Sequence, residues 1–302
     1  MFLIVGGDSE IGAATYRTLK AQGQPVAATT RRRERVAADR PFLDLALPLE
    51  SWEPPRQTKA ACVCAAVARI AACAADPAGT AFVNVNQTLT LIDRLLARGI
   101  YVLFLSTNQV FDGRVPHVPA DAPHSPVSEY GRQKARTETA LRVHMARGAP
   151  AAILRLAKVV SSHLPLIEDW TADLAAGKLI SAFNDMTLAP TPTALVCSAV
   201  IALMQDRVPG VFQLTGPRDV RYAEVGRFLA RRLGVSETLV IETSAAEAGI
   251  SEGSTPYNTT LDSSRLRERY GLDVPDIWQM IAPMVESHMR RTGDHSPSSG
   301  AS

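Results

Sequence analysis

Phe2-Leu3-Ile4-Val5-Gly6-Gly7-Asp8-Ser9-Glu10-Ile11-Gly12 is a short, wholly apolar run that breaks directly into a glycine turn. Ala13 to Gln22 then reads as a helix closed by Gly23, and Pro25–Thr30 as a second strand. Strand, turn, helix and strand make a βαβ unit, which predicts a doubly wound α/β fold of the Rossmann type with a parallel sheet. In that setting glycines let the backbone approach a pyrophosphate, and the helix N-terminus faces its charge. Gly6, Ser9, Glu10, Ile11 and Gly12 are therefore the candidate cofactor contacts. An ordinary tight turn is the competing interpretation. The negative charges of Asp8 and Glu10 count against a phosphate here.

After the second strand comes Thr29-Thr30-Arg31-Arg32-Arg33. An acid at this point would hold the adenosine ribose hydroxyls of NAD. Arginines suit a 2′-phosphate, through charge-assisted and often bidentate hydrogen bonds. We expect NADP, with NAD as the other option, and Arg31 and Arg32 as contacts; a solvated charge run is the alternative. Phe42-Leu43-Asp44-Leu45 predicts a short third strand ending in an acid, so Asp44 joins the cofactor set. Ala60–Val67 predicts a buried strand, and Asp76-Pro77 opens a helix expected to run to Leu96. Tyr101–Leu105 is apolar throughout, as parallel strands covered on both faces are. It delivers Ser106-Thr107-Asn108-Gln109 to its C-terminal end, where ligands bind in such sheets.

Pro116 to Pro126 is a loop, followed by Ser128-Glu129-Tyr130-Gly131-Arg132-Gln133-Lys134 and a helical composition through Arg147. Tyr130 and Lys134 stand four residues apart, on one helix face. A cation held there favours the ionised phenol and is expected to lower its pKa toward neutral. A phenol so placed can exchange a proton with a substrate oxygen. A surface tyrosine beside a surface lysine would look the same in sequence. The chain, however, has 32 Lys and Arg, of which only residues 20, 59, 134, 158 and 178 are Lys, so the compact ammonium was placed here against the prevailing arginine.

The 302-residue length allows one large or two modest domains, and a formal net charge of +2 argues against a polyanion partner. The four cysteines sit in apolar runs without paired metal spacing, and the histidines are scattered. We expect small buried thiols in a reducing compartment, and no metal. With no basic leader and no membrane-length apolar run, the expectation is a cytoplasmic protein without membrane or nucleic-acid partners.

Taken together, these residues resemble an extended short-chain dehydrogenase/reductase, and within it the dTDP-4-dehydrorhamnose reductase and nucleotide-sugar reductase group. The likeness rests on the glycine turn at 6–12, Val83-Asn84, and Ser106-Thr107-Asn108-Gln109-Val110-Phe111-Asp112-Gly113. It also rests on Tyr130-x-x-x-Lys134, Ala189-Pro190-Thr191, and Leu261-Asp262-Ser263-Ser264-Arg265-Leu266. The resemblance implies that Tyr130 donates a proton to a reduced carbonyl and that Lys134 holds the nicotinamide ribose and tunes Tyr130. It implies that Thr107 completes the triad, and that the substrate is a nucleotide-activated sugar. Three departures stand out. Ser9 replaces a glycine, which implies a looser or shifted phosphate turn. Asn108 and Gln109 replace Asp and Tyr, so as substrate contacts they differ from the group's. They also cannot supply the acid–base pair that a dehydratase uses. A nucleotide-sugar epimerase retaining NAD, and a non-catalytic dinucleotide-binding regulatory subunit, are the alternatives. A homodimer is compatible with either.

The expected division is a dinucleotide-binding part over 1–156, a smaller substrate-binding part over 157–290 that returns a strand near 211–215 to the sheet, and a disordered tail at 291–302. Ser161–Pro165 is expected to begin the substrate pocket. Trp170, with Ile167 and Leu174 at compatible helical spacing, reads as core. Tyr222–Leu233 is an amphipathic helix whose Arg227, Arg231 and Arg232 form a wet face. Arg155, lying in the predicted Ala151–Leu156 strand, is a candidate contact for a sugar diphosphate. Asp262 is expected to cap the helix that follows it.

Overall fold

The structure is a computed structural model that describes residues 1–161, 164–250 and 256–293. Six strands form one parallel sheet: β1 Phe2–Val5, β2 Val26–Ala28, β3 Ala60–Val63, β4 Tyr101–Thr107, β5 Ala151–Leu156 and β6 Gly210–Leu214. Their order is β6-β5-β4-β3-β1-β2. The chain leaves β1 toward one side and β3 toward the other, so the sheet reverses between them. Such a switch point opens a crevice at the C-terminal ends of the strands. β4 and β5 are buried at every residue, which explains their apolar runs Tyr101–Leu105 and Ala151–Leu154.

Helices cover both faces. On one side α1 (Glu10–Ala21) brings Tyr16 and Leu19 against Ile4, Leu103 and Leu154. On the opposite side α2 (Thr88–Leu96) and α3 (Glu129–Ala146) bury Leu91, Ile92, Leu95 and Leu141 against Leu3, Val102 and Phe104. A separate core lies in the C-terminal part, where α4 (Pro165–Ala175) supplies Ile167, Trp170 and Leu174. The helix α5 (Thr193–Asp206) returns to the first face of the sheet, and α6 (Tyr222–Leu233) packs on α4 with Val225 and Leu229. Trp170 is thus core, its ring edge-on to Tyr222 at 6.5 Å. The expected wet face of α6 is also present, with Arg227, Arg231 and Arg232 paired to Glu242, Glu237 and Glu286.

Several boundaries differ from the sequence reading. The third strand at Phe42–Leu45 is reduced to a single bridge between Thr30 and Phe42. β3 ends at Val63 rather than Val67, because the chain turns at Cys64-Ala65, both of whose amides donate to the Val5 carbonyl. The helix predicted from Asp76 to Leu96 is broken. Asp76 caps Pro77–Ala81 through Gly79 N, and Phe82–Gln87 winds as a π-helix before α2 resumes. Asp262 Oδ1 does accept from Ser264 N at 2.9 Å, one place on from the expected cap, ahead of α7 (Ser264–Tyr270). Finally, α8 (Ile277–Gly293) is carried by Ile277, Ile281 and Val285 in the C-terminal core, so helix occupies the first three positions assigned to the tail. Residues 294–302, and positions 162–163 of the expected pocket loop, lie outside the described residues.

Candidate functional site

The glycine turn is closed by its own serine. Ser9 is the N-cap of α1: its hydroxyl accepts from Gly12 N at 3.1 Å and donates to Gly6 O at 2.8 Å. The Ser9 substitution therefore tightens the turn, contrary to the looser one expected. Gly6 has φ +92°, and a Cβ there would meet Ala65 N at 2.7 Å. Only glycine fits that position. Gly6 N is fixed on Thr29 Oγ1 at 2.9 Å, which ties the turn to the end of β2. Glu10 and Ile11 occupy the first two helical positions, where amides have no acceptor inside the helix. Their side chains point elsewhere, Glu10 accepting from Thr193 Oγ1 and Ile11 packing on the core. Gly12 is a packing residue, since a Cβ would lie 2.3 Å from Gly6 O.

Above this turn a cavity of about 280 Å³ is lined by Gly6, Ser9, Arg31, Arg32, Asp44 and the loop after β3, among others. Asp8, counted against a phosphate from sequence, is neutralised. It accepts from Thr30 Oγ1 (2.7 Å), Arg31 N (3.3 Å) and Arg40 Nη2 (3.0 Å). Burial works to raise its pKa, but these bonds and the charges of Arg40 and Arg32 outweigh burial and hold the carboxyl below its ordinary range. Among the described residues its ion pairs go to Arg35 and Arg40, leaving Arg31 and Arg32 exposed at the cavity edge. Asp44 Oδ1 accepts from Ala46 N and shapes the opposite wall. A glycine cradle at positive φ, free helix-start amides and two exposed guanidiniums fit a phosphorylated dinucleotide.

At the other end of the cleft Thr107 is the last residue of β4, buried, its hydroxyl donating to Asn108 Oδ1 (3.3 Å) and accepting from Gln109 N (3.2 Å). Asn108 and Gln109 form the turn that follows, and Gln109 Oε1 accepts from Ser128 Oγ, the N-cap of α3, at 3.1 Å. Half-buried Tyr130 stands in the first turn of α3. Lys134 is 4% exposed; its Nζ donates to Leu105 O at 2.8 Å and sits 4.4 Å from the centre of the Phe104 ring. Burial pushes this ammonium down to about 8, against Glu138 and the thiols of Cys64 and Cys73. Burial, with Cys73 beside it, pushes the Tyr130 phenol up. The expected acidified phenol is not what the structure holds. Nζ is bound to the Leu105 carbonyl, 6.0 Å from the centre of the Tyr130 ring, and desolvation prevails over its charge.

Arg155 is also not where a substrate contact would be. It is fully buried, with Nε and Nη2 on Glu138 and Nη1 on Ala120 O and Gln213 Oε1. A guanidinium so consumed presents no donor to the cleft.

Three residues the sequence reading passed over hold the site together. Gly131 lets α3 dock on the strand-end turn: a Cβ there would stand 2.1 Å from Gln109 O. Asn84, on the π-helical stretch, accepts from Val67 N (2.8 Å) and donates to Val67 O (2.9 Å), clamping the loop beside the cavity. Gln133 Oε1 accepts from Asn84 Nδ2 at 2.8 Å, joining that clamp to α3. A glycine inside a helical pattern was the one visible signal. The other two are polar residues whose partners are remote in sequence.

Comparison with known proteins agrees with this architecture. The RmlD substrate binding domain family matches residues 1–289. The Haloferax volcanii protein described as probable low-salt glycan biosynthesis reductase Agl14 is 26% identical over 298 residues, covering 93% of this chain and 96% of that one. A dTDP-4-dehydrorhamnose reductase from Bacillus anthracis, solved in complex with NADP, has a TM-score of 0.74 at 15% identity, covering 95% of this chain and 97% of the other. A UDP-glucose 4-epimerase from Thermotoga maritima, solved with UDP-glucose, scores 0.74 at 19% identity, covering 96% and 99%. This reductase and this epimerase are thus equally similar in fold. The chain belongs to the RmlD substrate binding domain family, among oxidoreductases of the extended short-chain dehydrogenase/reductase type.

Proposed function

We propose that this protein is an NADPH-dependent reductase of a keto group on a nucleotide-activated sugar. The observation that supports the reading is that Thr107 ends β4, while Lys134 of α3 bonds Leu105 of that same strand and lies 6.0 Å from the centre of the Tyr130 ring, in a sheet whose β1 leads into the glycine turn lining the cavity. Bound there, the dinucleotide supplies the hydride. The first amides of α1, in the turn that Ser9 closes, would hold its pyrophosphate, and Arg31 and Arg32 its 2′-phosphate. Tyr130 gives its hydroxyl proton to the carbonyl oxygen as charge develops there, and the Thr107 hydroxyl turns from its long bond to Asn108 Oδ1 to donate to the same oxygen. An un-ionised phenol is the form that a proton donor needs, so the raised Tyr130 pKa suits reduction. Lys134 carries the positive charge that steadies the phenolate left behind. Asn108 and Gln109 carry no acid or base, which favours simple reduction over elimination of water.

The test is oxidation of NADPH, followed by absorbance, with a panel of 4-keto sugar nucleotides. Turnover is expected with at least one. Tyr130→Phe should lower kcat about 10²- to 10⁴-fold with NADPH binding kept. Arg31→Ala and Arg32→Ala should each weaken NADPH about 10-fold or more while leaving NADH unaffected. No turnover on the panel, or a fully active Tyr130→Phe, rejects the reading. NAD released from the purified protein on denaturation would favour an epimerase.

A further inference from the structure

Tyr130, Lys134 and Glu138 follow one another at four-residue intervals along α3, so they stack on one face of the helix, a turn apart. The lower two are buried, Glu138 completely. A buried carboxylate costs several kcal/mol unless it is well paired. This one is held by Arg155 Nε at 3.0 Å, Arg155 Nη2 at 2.7 Å and His124 Nε2 at 2.9 Å. Arg155 comes from β5 and is itself fixed on Ala120 and on Gln213 of β6, while His124 comes from the loop leading into α3. The carboxylate therefore anchors the inner face of α3 to two strands and a loop, one turn below the lysine.

We propose that Glu138 is a positioning residue for the site, fixing the place of Lys134 and keeping its ammonium charged. For its catalytic consequence the proposal rests on the reductase reading above. Among the described residues no carboxylate pairs with Lys134 directly: its ammonium donates to the Leu105 carbonyl. Of the groups that oppose its desolvation, Glu138 acts most strongly, ahead of Cys64 and Cys73. The charged and titratable groups around Glu138 are Lys134 and Arg142 on α3, Arg155 on β5, and His124 and Asp121 on the preceding loop; β4 presents the Ser106 hydroxyl. With Glu138 neutralised, the surroundings of Lys134 become more cationic and the ammonium loses its nearest counter-charge.

The experiment is a pH titration of the lysine side chains in the full chain by ¹³Cε NMR. There are only five lysines, and Lys134→Arg assigns the resonance. In the wild type one lysine is expected to titrate near 8. In Glu138→Gln it should titrate about one unit lower or more, a tenfold change in its acid constant. Because Glu138→Gln leaves Arg155 without its counter-charge and can unfold the chain, Glu138→Gln/Arg155→Met removes both charges, and a smaller shift in the same direction is expected because the repulsion from Arg155 is lost as well. Glu138→Asp, which keeps the charge, should restore most of the wild-type value. The alkaline limb of the NADPH oxidation profile should move down in step with the titration. A Lys134 titration unchanged in the folded variants overturns the proposal. If the wild type turns over no keto sugar, the reductase reading fails while the NMR titration still decides the role of Glu138.

Discussion

At Gly131 a single methyl group separates a docked helix from a displaced one. The Cβ of Gly131→Ala would meet the Gln109 carbonyl at 2.1 Å, and both contacts are backbone, so α3 or the turn must move. We expect a loss of about 1–3 kcal/mol by urea denaturation, with kcat falling more than the stability change requires. Ser9 gives a second comparison. Ser9→Ala loses the cap and should cost about 1 kcal/mol, whereas Ser9→Gly should cost only a few tenths. Both remove the hydroxyl that stitches Gly6 to Gly12, so both should weaken NADPH in a fluorescence titration. At this scale the placing of Tyr130 and Lys134 on one helix face was legible and its support was not. Tyr130 and Lys134 announce themselves by type and spacing. Gly131 shows locally only as a glycine in a helical pattern, and what Gly131 and Asn84 touch, Gln109 and Val67, lies too far along the chain for periodicity to record.

Among the elements, the π-helical Phe82–Gln87 stretch decides the shape of the cleft wall. Its wider turn carries Asn84, which meets both backbone groups of Val67. Asn84→Ala would leave those groups and Gln133 without their partner in a buried setting. A loss of about 1–3 kcal/mol is expected, together with weaker cofactor binding, measured by thermal melting with and without NADPH. Sequence periodicity gave one helix here because a π stretch inserts no Gly or Pro and keeps the apolar face. It gave a third strand at Phe42 because three apolar residues near an acid look extended, although only one bridge forms. By contrast, Ala151–Leu156 and Tyr222–Leu233 were readable to the residue. The first is apolar but for Arg155, and the second is bounded by Gly234 and strongly two-faced.

Over the whole molecule the buried charges set how stability responds to pH. The carboxyl of Glu138, held at about 2 by His124 and Arg155 against the pull of burial, has an ordinary value of 4.5. Its stabilisation is complete above pH 4.5 and is lost as pH falls toward 2, on the order of 3 kcal/mol in all. Lys134 acts in the opposite sense. Its folded pKa, about 8, lies below its ordinary 10.5, so the unfolded chain binds more protons between these values and stability rises with pH across that window. Lys134→Met should therefore be more stable than wild type at pH 7 and show no such rise, while losing activity. Urea denaturation at pH 7, 9 and 10.5 checks both statements.

The sheet also dictates how copies of this chain can meet. β2 has only three residues, and Asp39 and Pro41 already accept from Ala28 N and Thr30 N along its outer side. At the far border β6 is covered by the segment around α7, with Arg265 Nη1 donating to Val211 O and Ser263 accepting from Thr215 N. Neither border offers the row of unsatisfied amides that strand-to-strand fusion requires. The six-stranded sheet is thereby guarded at both borders against the extension, copy upon copy, that builds fibrous aggregates.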